Sequence, residues 1–201
     1  MLKLRKIAIT GGLAAGKTTV CQLFKELGAY VLSADDLVHQ LLSPQTHIGK
    51  RVIQLLGEDI LSGSTIDRKK VSEKVFSQPE KLHALEQILH PAVFDEIKNS
   101  YEQIEKQGKY PFFVAEIPLL YEAGRAEEFD AIITVVAEPE VCKRRFLQDG
   151  KHTELEFTER MTRQWNTREK AKRADYVLDN NGTIADLKAQ VELLFSNLTF
   201  P

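Results

Sequence analysis

Cysteine, net charge and long apolar runs are all scarce in this chain of 201 residues. The two cysteines, Cys21 and Cys142, have neither Cys-x-x-Cys spacing nor nearby histidines, which argues against a zinc site and against a disulfide framework. A formal charge of -2 gives no reason to expect nucleic-acid binding. No stretch approaches the roughly 20 apolar residues that a membrane helix needs. The first apolar run ends at Thr10-Gly11-Gly12, too early for a signal peptide. We therefore expect a soluble, cytoplasmic protein without nucleic-acid or membrane partners, and no particular oligomeric state is predicted.

Five short apolar runs predict buried parallel strands, because strands covered on both faces read as continuous apolar stretches. The runs are residues 6–10, 30–33, 112–116, 131–136 and 176–178. Helical patterns lie between and after them, at residues 18–27, 140–148, 155–174 and 184–198. This alternation predicts an α/β fold, a doubly wound parallel five-stranded sheet of the P-loop NTPase type.

A longer helical region precedes the third strand. It covers about residues 48–107, with interruptions at 57–67 and at Pro79. Because it is too long for a simple crossover, we expect a helical lobe inserted on the sheet. The chain is thus predicted to be one domain, with a core of about residues 1–35, 110–142 and 174–201, a helical lobe of about 36–109 and a helical lid of about 143–173.

Residues 11–18 read Gly-Gly-Leu-Ala-Ala-Gly-Lys-Thr, which fits the phosphate-binding pattern Gly-x-x-x-x-Gly-Lys-Thr. Glycines let backbone N–H groups approach a phosphate, and the positive end of the following helix favours an anion. Lys17 can reach the β- and γ-phosphates of ATP, and the Thr18 hydroxyl can ligate Mg²⁺. A glycine-rich turn with a chance lysine is the alternative, but the strand–loop–helix context favours phosphate binding. We expect the phosphates against Gly12, Leu13, Ala14, Ala15, Gly16, Lys17, Thr18 and Thr19.

Several protein classes share this loop, so other residues must narrow the function. A GTPase would normally carry an Asn-Lys-x-Asp motif, and the chain contains no Asn-Lys pair. Residues 61–64, Leu-Ser-Gly-Ser, are faintly similar to the transporter ATPase signature, but they come too early in the chain and are interpreted as a turn. A small-molecule kinase is the favoured class.

Two carboxylates come at or just after predicted strand ends, where ligands bind in parallel sheets. Asp35 could accept a proton from an attacking hydroxyl, or it could cap the helix that begins near Asp36. Glu116 could hold Mg²⁺, directly or through water, or it could simply face solvent. The residue types leave both pairs of alternatives open.

Residues 143–173 contain ten Lys and Arg against five Asp and Glu. Such a basic segment near a phosphate site predicts a lid that closes over ATP. The alternative is a solvated helix face with pairs such as Glu169 with Arg173. His90, followed by Pro91, could be functional or could be a core histidine before a proline that starts a helix.

Several motifs follow the loop in a fixed order: Ala34-Asp35, Leu89-His90-Pro91, Pro118-Leu119-Leu120-Tyr121-Glu122, the basic segment with Arg144, Gln164 and Arg168, and residues 174–182, Ala-Asp-Tyr-Val-Leu-Asp-Asn-Asn-Gly. With the loop, they resemble the dephospho-coenzyme A kinase family nearly end to end. The loop alone is shared by very many proteins. The ordered pair Pro-Leu-Leu-x-Glu and Asp-Asn-Asn-Gly is much more specific.

The resemblance implies transfer of the γ-phosphate of ATP, with Mg²⁺, to the ribose 3′-hydroxyl of dephospho-coenzyme A. Asp35 would be the base, and Lys17 and Arg144 would also act in catalysis. The acceptor, received by the helical lobe, would contact Asp35, His90, Leu119 and Glu122. Beyond the loop, ATP would contact Arg144, Arg168, Asn180 and Gly182. The metal would be held by Thr18, with Glu116 as a weaker candidate.

Three positions depart from the family pattern. Ser33 stands where the first aspartate of Asp-Ala-Asp is usual, Ala15 where a serine is common, and Gln148 where an arginine is frequent. A charged phosphate contact at position 148 would be missing or supplied by Arg145. Lys17, Thr18 and Asp35 are all kept, so we expect an active enzyme. A kinase with another acceptor, and a module that binds ATP to switch conformation, are the competing hypotheses.

Overall fold

A computed structural model describes residues 4–76, 78–148, 150, 153–162 and 164–199. The chain divides into two compact units. The first contains the residues up to Ser33 and those from Tyr101 onward, and the second runs from Ala34 to Ser100. The predicted core, helical lobe and lid have different boundaries from these two units, and that division stays a prediction.

The first unit is organised around a five-stranded parallel sheet. Its strands are β1 (Arg5–Gly11), β2 (Tyr30–Ser33), β5 (Phe112–Glu116), β6 (Ala131–Val136) and β7 (Tyr176–Asp179). Their order in the sheet is β2-β5-β1-β6-β7. Strand β1, which carries the phosphate-binding pattern at its end, lies centrally between β5 and β6. The predicted fold class and all five strand positions are confirmed. The two intervening strands, β3 (Leu61–Ser62) and β4 (Thr65–Ile66), belong to the second unit.

The core of this unit explains why the strands read as apolar runs. Ile7, Ile9, Val114, Ile133 and other strand side chains are fully buried against the helices on the sheet faces. Among the described residues, five α-helices lie wholly in this unit. They are α1 (Lys17–Glu26), α6 (Pro139–Leu147), α7 (Glu154–Thr162), α8 (Thr167–Arg173) and α9 (Ile184–Thr199).

The single helix predicted at residues 155–174 is wrong, because the structure has the two helices α7 and α8 there. Asn166 is the N-cap of α8, and its side-chain oxygen accepts a hydrogen bond from the Arg168 N–H at 2.9 Å. An asparagine satisfies the first N–H groups of a new helix well, which favours a break over continuation.

The second unit contains the helices α2 (Ala34–Leu41), α3 (His47–Leu56) and α4 (Arg68–Phe76), together with most of α5 (Pro79–Gln107). A short antiparallel hairpin, β3 (Leu61–Ser62) with β4 (Thr65–Ile66), confirms the turn expected at residues 61–64. Val52, Ile60, Val71 and Leu85 form part of its own apolar core.

Pro91 does not start a helix. It lies inside α5, whose first residue is Pro79. A proline fits the first helical position because the N–H it lacks has no partner there, whereas inside a helix it removes one hydrogen bond. Among the described residues, no helix combines the length and apolar character needed to cross a membrane.

Candidate active site

The phosphate loop connects β1 to α1 and takes its shape from residues with positive φ. Gly11 has φ 147°, Ala14 has φ 55° and Gly16 has φ 101°. Gly16 is also the N-cap of α1, so no side chain from the cap covers the first N–H groups of the helix. The loop therefore turns backbone donors and the positive end of α1 toward the same region, which is the arrangement that binds a phosphate.

Two glycines are fixed by close neighbours as well as by backbone angle. A side chain at position 11 would overlap the backbone oxygen of Val135 on β6. A side chain at position 16 would overlap the Asn180 amide, which donates a hydrogen bond to the Ala15 carbonyl at 2.8 Å. The loop is thus held from outside by the segment that follows β7.

Lys17 is buried, and its ammonium lies beside the loop that precedes it. Nζ donates to the Gly12 carbonyl at 2.8 Å and, over a longer distance of 3.5 Å, to the Gly11 carbonyl. A charge held in so little solvent interacts strongly with an anion that enters the loop.

The side chains of Thr18 and Glu116 are hydrogen-bonded to each other. The Thr18 hydroxyl donates to Glu116 Oε1 at 2.9 Å, and the Glu116 side chain is buried at the end of β5. Glu116 therefore does not face solvent, contrary to one of the two alternatives. Ser33 is its partner in the β2–β5 register, so a hydroxyl lies beside the carboxylate where a second carboxylate would repel it.

Cys21 is buried one turn after Thr18 on α1. Burial, and then the neighbouring Glu116 carboxylate, raise the pKa of this thiol well above its ordinary value. Cys142 is also buried, both cysteines are free, and burial likewise raises the pKa of the Cys142 thiol. Neither thiol has the lowered pKa of a reactive nucleophile.

A cavity of about 750 Å³ opens beside the loop within the first unit. Its wall includes the loop residues Gly12 and Leu13, the segment after β6, the end of α7, the start of α8 and the end of β7. Thr167 comes so close to the loop that a side chain on Gly12 would meet its hydroxyl at 2.7 Å. This volume suits a nucleotide-sized ligand.

The residues predicted to contact ATP are distributed unevenly around this cavity. Arg168 lines it, whereas Arg144 has an exposed side chain in the last turn of α6 and does not line it. The Asn180 side chain is engaged by the loop, and its neighbour Asn181 lines the cavity instead. Outside the loop itself, Thr19 in α1 and Gly182 after β7 are exposed.

Arg145 was the candidate to supply the phosphate contact missing at position 148, but its side chain contacts Asn180. Its Nη2 donates to the backbone oxygen of Asn180 at 3.0 Å and to the side-chain oxygen at 3.5 Å. Because the Asn180 side chain in turn donates to the Ala15 carbonyl, Arg145 supports the loop indirectly, through Asn180.

Within the basic segment, Glu169 pairs with Lys172 at 2.7 Å, whereas Arg173 lies 4.7 Å from the centre of the Trp165 ring.

Leu119 and Glu122 both lie in the turn after β5, and Glu122 contacts α8. Glu122 Oε1 accepts a hydrogen bond from the backbone N–H of Trp165 at 2.7 Å and pairs with the ammonium of Lys170 at 2.8 Å. Sequence reasoning missed Lys170 as an individual residue, since it counted only as one of ten cations in a basic segment.

Asp35 and His90 belong to the second unit. Asp35 is exposed in the first turn of α2, which begins at Ala34, so Asp35 is the second helical residue and not the cap. His90 is half-buried inside α5. Their predicted roles toward the acceptor stay predictions.

Comparison with known proteins identifies the family. Residues 5–186 match the family described as Dephospho-CoA kinase. The chain belongs to the dephospho-coenzyme A kinase family. The dephospho-CoA kinase of Protochlamydia amoebophila is 49% identical over 199 residues, which cover 98% of each chain. A dephospho-coenzyme A kinase is a phosphotransferase, so of the classes considered from sequence the kinase is correct.

Two solved structures are similar to this chain over nearly their whole length. A Thermus thermophilus protein of known crystal structure is 31% identical, with a TM-score of 0.83 over 98% of this chain and 99% of that one. The dephospho-CoA kinase from Campylobacter jejuni is 26% identical, with a TM-score of 0.65 over 96% of this chain and 97% of that one. The likeness therefore extends over both compact units of a dephospho-coenzyme A kinase chain.

Proposed function

We propose that this chain transfers the γ-phosphate of ATP to the ribose 3′-hydroxyl of dephospho-coenzyme A, giving ADP and coenzyme A. The observation that carries the proposal is a complete phosphate loop, with Lys17 inside it and Thr18 on Glu116, in a chain whose family likeness covers residues 5–186. The geometry of the loop supports the binding of phosphate, and the family likeness supports dephospho-coenzyme A as the acceptor.

Lys17 and the loop backbone would hold the phosphates. In phosphoryl transfer, negative charge is redistributed over the oxygens of the moving group and the leaving ADP. A fixed, buried ammonium stabilises that charge without having to reorganise. Its interaction with the phosphates is therefore strongest in the transition state. The backbone donors of residues 12–16 and the first turn of α1 would do the same from the other side of the phosphates.

Thr18 and Glu116 fit Mg²⁺ by the chemistry of their donor atoms. Both provide oxygen, the ligand this cation prefers, and the two oxygens lie 2.9 Å apart. Bound Mg²⁺ would neutralise charge on the β- and γ-phosphates. We assign the Thr18 hydroxyl as a direct ligand and Glu116 as a ligand directly or through water.

Asp35 would be the general base. It would take the proton of the ribose 3′-hydroxyl while that oxygen bonds to the γ-phosphorus and the bond to the ADP oxygen breaks. A carboxylate in this role typically contributes 10²- to 10⁴-fold to the rate. His90, Leu119 and Glu122 would bind the acceptor.

Arg168 would face the ATP phosphates from the cavity wall, and Arg144 would join it from α6. Asn180 would act on ATP through the loop it supports, with Gly182 in the following turn near the base. A cytoplasmic location and the absence of nucleic-acid partners complete the proposal and rest on composition alone.

The test is ADP release by the purified chain with ATP and Mg²⁺, in the presence of dephospho-coenzyme A, AMP, CMP, UMP or shikimate in turn. We expect dephospho-coenzyme A alone to give rapid release above the rate without acceptor. Stimulation by a nucleoside monophosphate alone would overturn the proposed acceptor. Tight ATP binding without product from any acceptor would favour a binding module.

A further inference from the structure

Lys170 is a fully buried cation in the middle of α8. Its ammonium lies 2.8 Å from Glu122 Oε1 and donates to the Pro118 carbonyl, also at 2.8 Å. Removing two charges from water costs several kcal/mol per ion, and well-packed apolar side chains often replace such a pair without loss of stability. Stability alone therefore gives little reason for a lysine at this position.

The two oxygens of Glu122 have different surroundings. Oε1 pairs with the Lys170 ammonium and accepts a hydrogen bond from the backbone N–H of Trp165. Oε2 is buried and has no hydrogen-bond partner among the described residues. A carboxylate accepts about four hydrogen bonds, so the protein satisfies Oε1 and leaves the hydrogen-bonding capacity of Oε2 unused.

The turn that carries Glu122 is held on several sides. Thr10, at the end of β1, donates its hydroxyl to the Pro118 carbonyl at 3.2 Å, the same oxygen that Lys170 contacts. The Tyr121 ring stacks on Trp165 with ring centres 6.0 Å apart. The carboxylate therefore has little freedom to rotate, and a ligand donor would meet Oε2 in one orientation.

We propose that Lys170 is a positioning residue: by holding Oε1 of Glu122, it presents Oε2 to a hydroxyl or amino donor of the acceptor nucleotide. The inference rests on the proposed placement of Glu122 on the acceptor side. Because the ion pair is neutral as a whole, the site suits a neutral donor and not a second cation. Lys170 touches no substrate itself, and it acts through Glu122.

A double-mutant cycle tests this coupling. Lys170→Met, Glu122→Gln and the double variant are compared with wild type by KM for dephospho-coenzyme A, KM for ATP and thermal unfolding. Each single variant should raise KM for dephospho-coenzyme A by about tenfold, the effect of one hydrogen bond to a charged group. KM for ATP should change less than about twofold on the same scale. The double variant should be no worse than Glu122→Gln, because Lys170 acts only through that side chain.

Leu194→Ala is the control for lost stability alone. Leu194 is buried in the core of the first unit, on α9, so its truncation should lower the unfolding temperature and leave both KM values unchanged. If Lys170→Met does not fold, Lys170→Arg replaces it, because a guanidinium keeps the charge but displaces Oε1. A selective rise in KM for dephospho-coenzyme A then supports the proposal.

These outcomes distinguish the proposed role of Lys170 from the proposed placement of Glu122 in the acceptor site. A wild-type KM for dephospho-coenzyme A in folded Lys170→Met or Lys170→Arg, with Glu122→Gln impaired, would overturn the role of Lys170 and leave the acceptor assignment intact. Additive effects in the double variant would also overturn it. An unimpaired Glu122→Gln would remove Glu122 from the acceptor site, and the role of Lys170 with it.

Discussion

The phosphate loop and the environment of Glu122 are two ways of building a site in the same unit. The loop is made by consecutive residues, and its donors are backbone groups whose directions are fixed by φ at Gly11, Ala14 and Gly16. Glu122 is held by the Lys170 ammonium and the Trp165 backbone N–H, both from residues more than forty positions away along the chain. A site built from consecutive backbone groups tolerates side-chain differences such as alanine at position 15, whereas a site built from residues distant in sequence depends on each of them.

Loss of Lys17 should give the largest effect and should not depend on the acceptor. Lys17→Ala removes the buried ammonium from the loop, so we expect kcat to fall by about 10³-fold or more. Steady-state ADP release measures this, with folding checked by circular dichroism. Lys25→Ala, exposed on the same helix, serves as the control and should keep normal turnover. Normal turnover by Lys17→Ala would contradict the assigned role.

Asp35 should separate chemistry from ATP binding. Asp35→Asn keeps the shape of the side chain but removes its basicity, so kcat should fall by about 10²-fold or more. The dissociation constant for ATP, measured by calorimetry, should stay within about twofold of wild type. Asp36→Asn is the matched control, and it should keep most of the activity. Unchanged phosphoryl transfer in Asp35→Asn would remove the base from the mechanism.

Two glycines with nearly the same φ test how far the loop depends on its backbone path. Gly16 has φ 101° and Gly28 has φ 96°, but an added Cβ overlaps Asn180 only at position 16. Gly28→Ala should cost about 1–2 kcal/mol of stability from backbone strain alone and should leave KM for ATP unchanged. Gly16→Ala should be less stable still and should raise KM for ATP. Equal behaviour of the two variants in thermal unfolding and kinetics would contradict the close packing of Asn180 on the loop.

Asn180 gives the smallest expected effect, because it is a distant side chain acting on the backbone-built site. Asn180→Ala loses the hydrogen bond to the Ala15 carbonyl, and we expect about 1–3 kcal/mol of lost stability and a severalfold higher KM for ATP. Chemical unfolding and initial rates measure the two quantities. Asn197→Ala, exposed on α9, should change neither. An unaltered KM for ATP in Asn180→Ala would show that the loop keeps its shape without this support.

The same contrast explains what sequence could predict. The strands and the phosphate loop were predictable because each depends on neighbouring residues: an apolar run, or a glycine pattern between strand and helix. The break between α7 and α8 was missed because the Asn166 cap is a local signal that the apolar and basic pattern concealed. The position of Pro91 was misjudged because tertiary packing stabilises α5 despite the lost hydrogen bond.

The pairing of Lys170 with Glu122 has no local signature. Lys170 stands between Glu169 and Lys172 in a strongly basic segment, where the same residue types form an exposed pair. Only the fold shows that one lysine of this segment is buried and that its partner follows β5. The support of Ala15 by Asn180, and of Asn180 by Arg145, depends in the same way on the fold, because the sheet brings together the segments that follow β1, β6 and β7 although they are distant in sequence.

The most direct test of the account is the destination of the phosphate. ATP labelled in its γ-phosphate is incubated with dephospho-coenzyme A, Mg²⁺ and the chain, and the labelled product is identified by mass spectrometry and ³¹P NMR. The account predicts label on the ribose 3′-oxygen of coenzyme A, formed with one equivalent of ADP and largely abolished in Asp35→Asn and Lys17→Ala. Label recovered only as inorganic phosphate, or on another position of the acceptor, would contradict it.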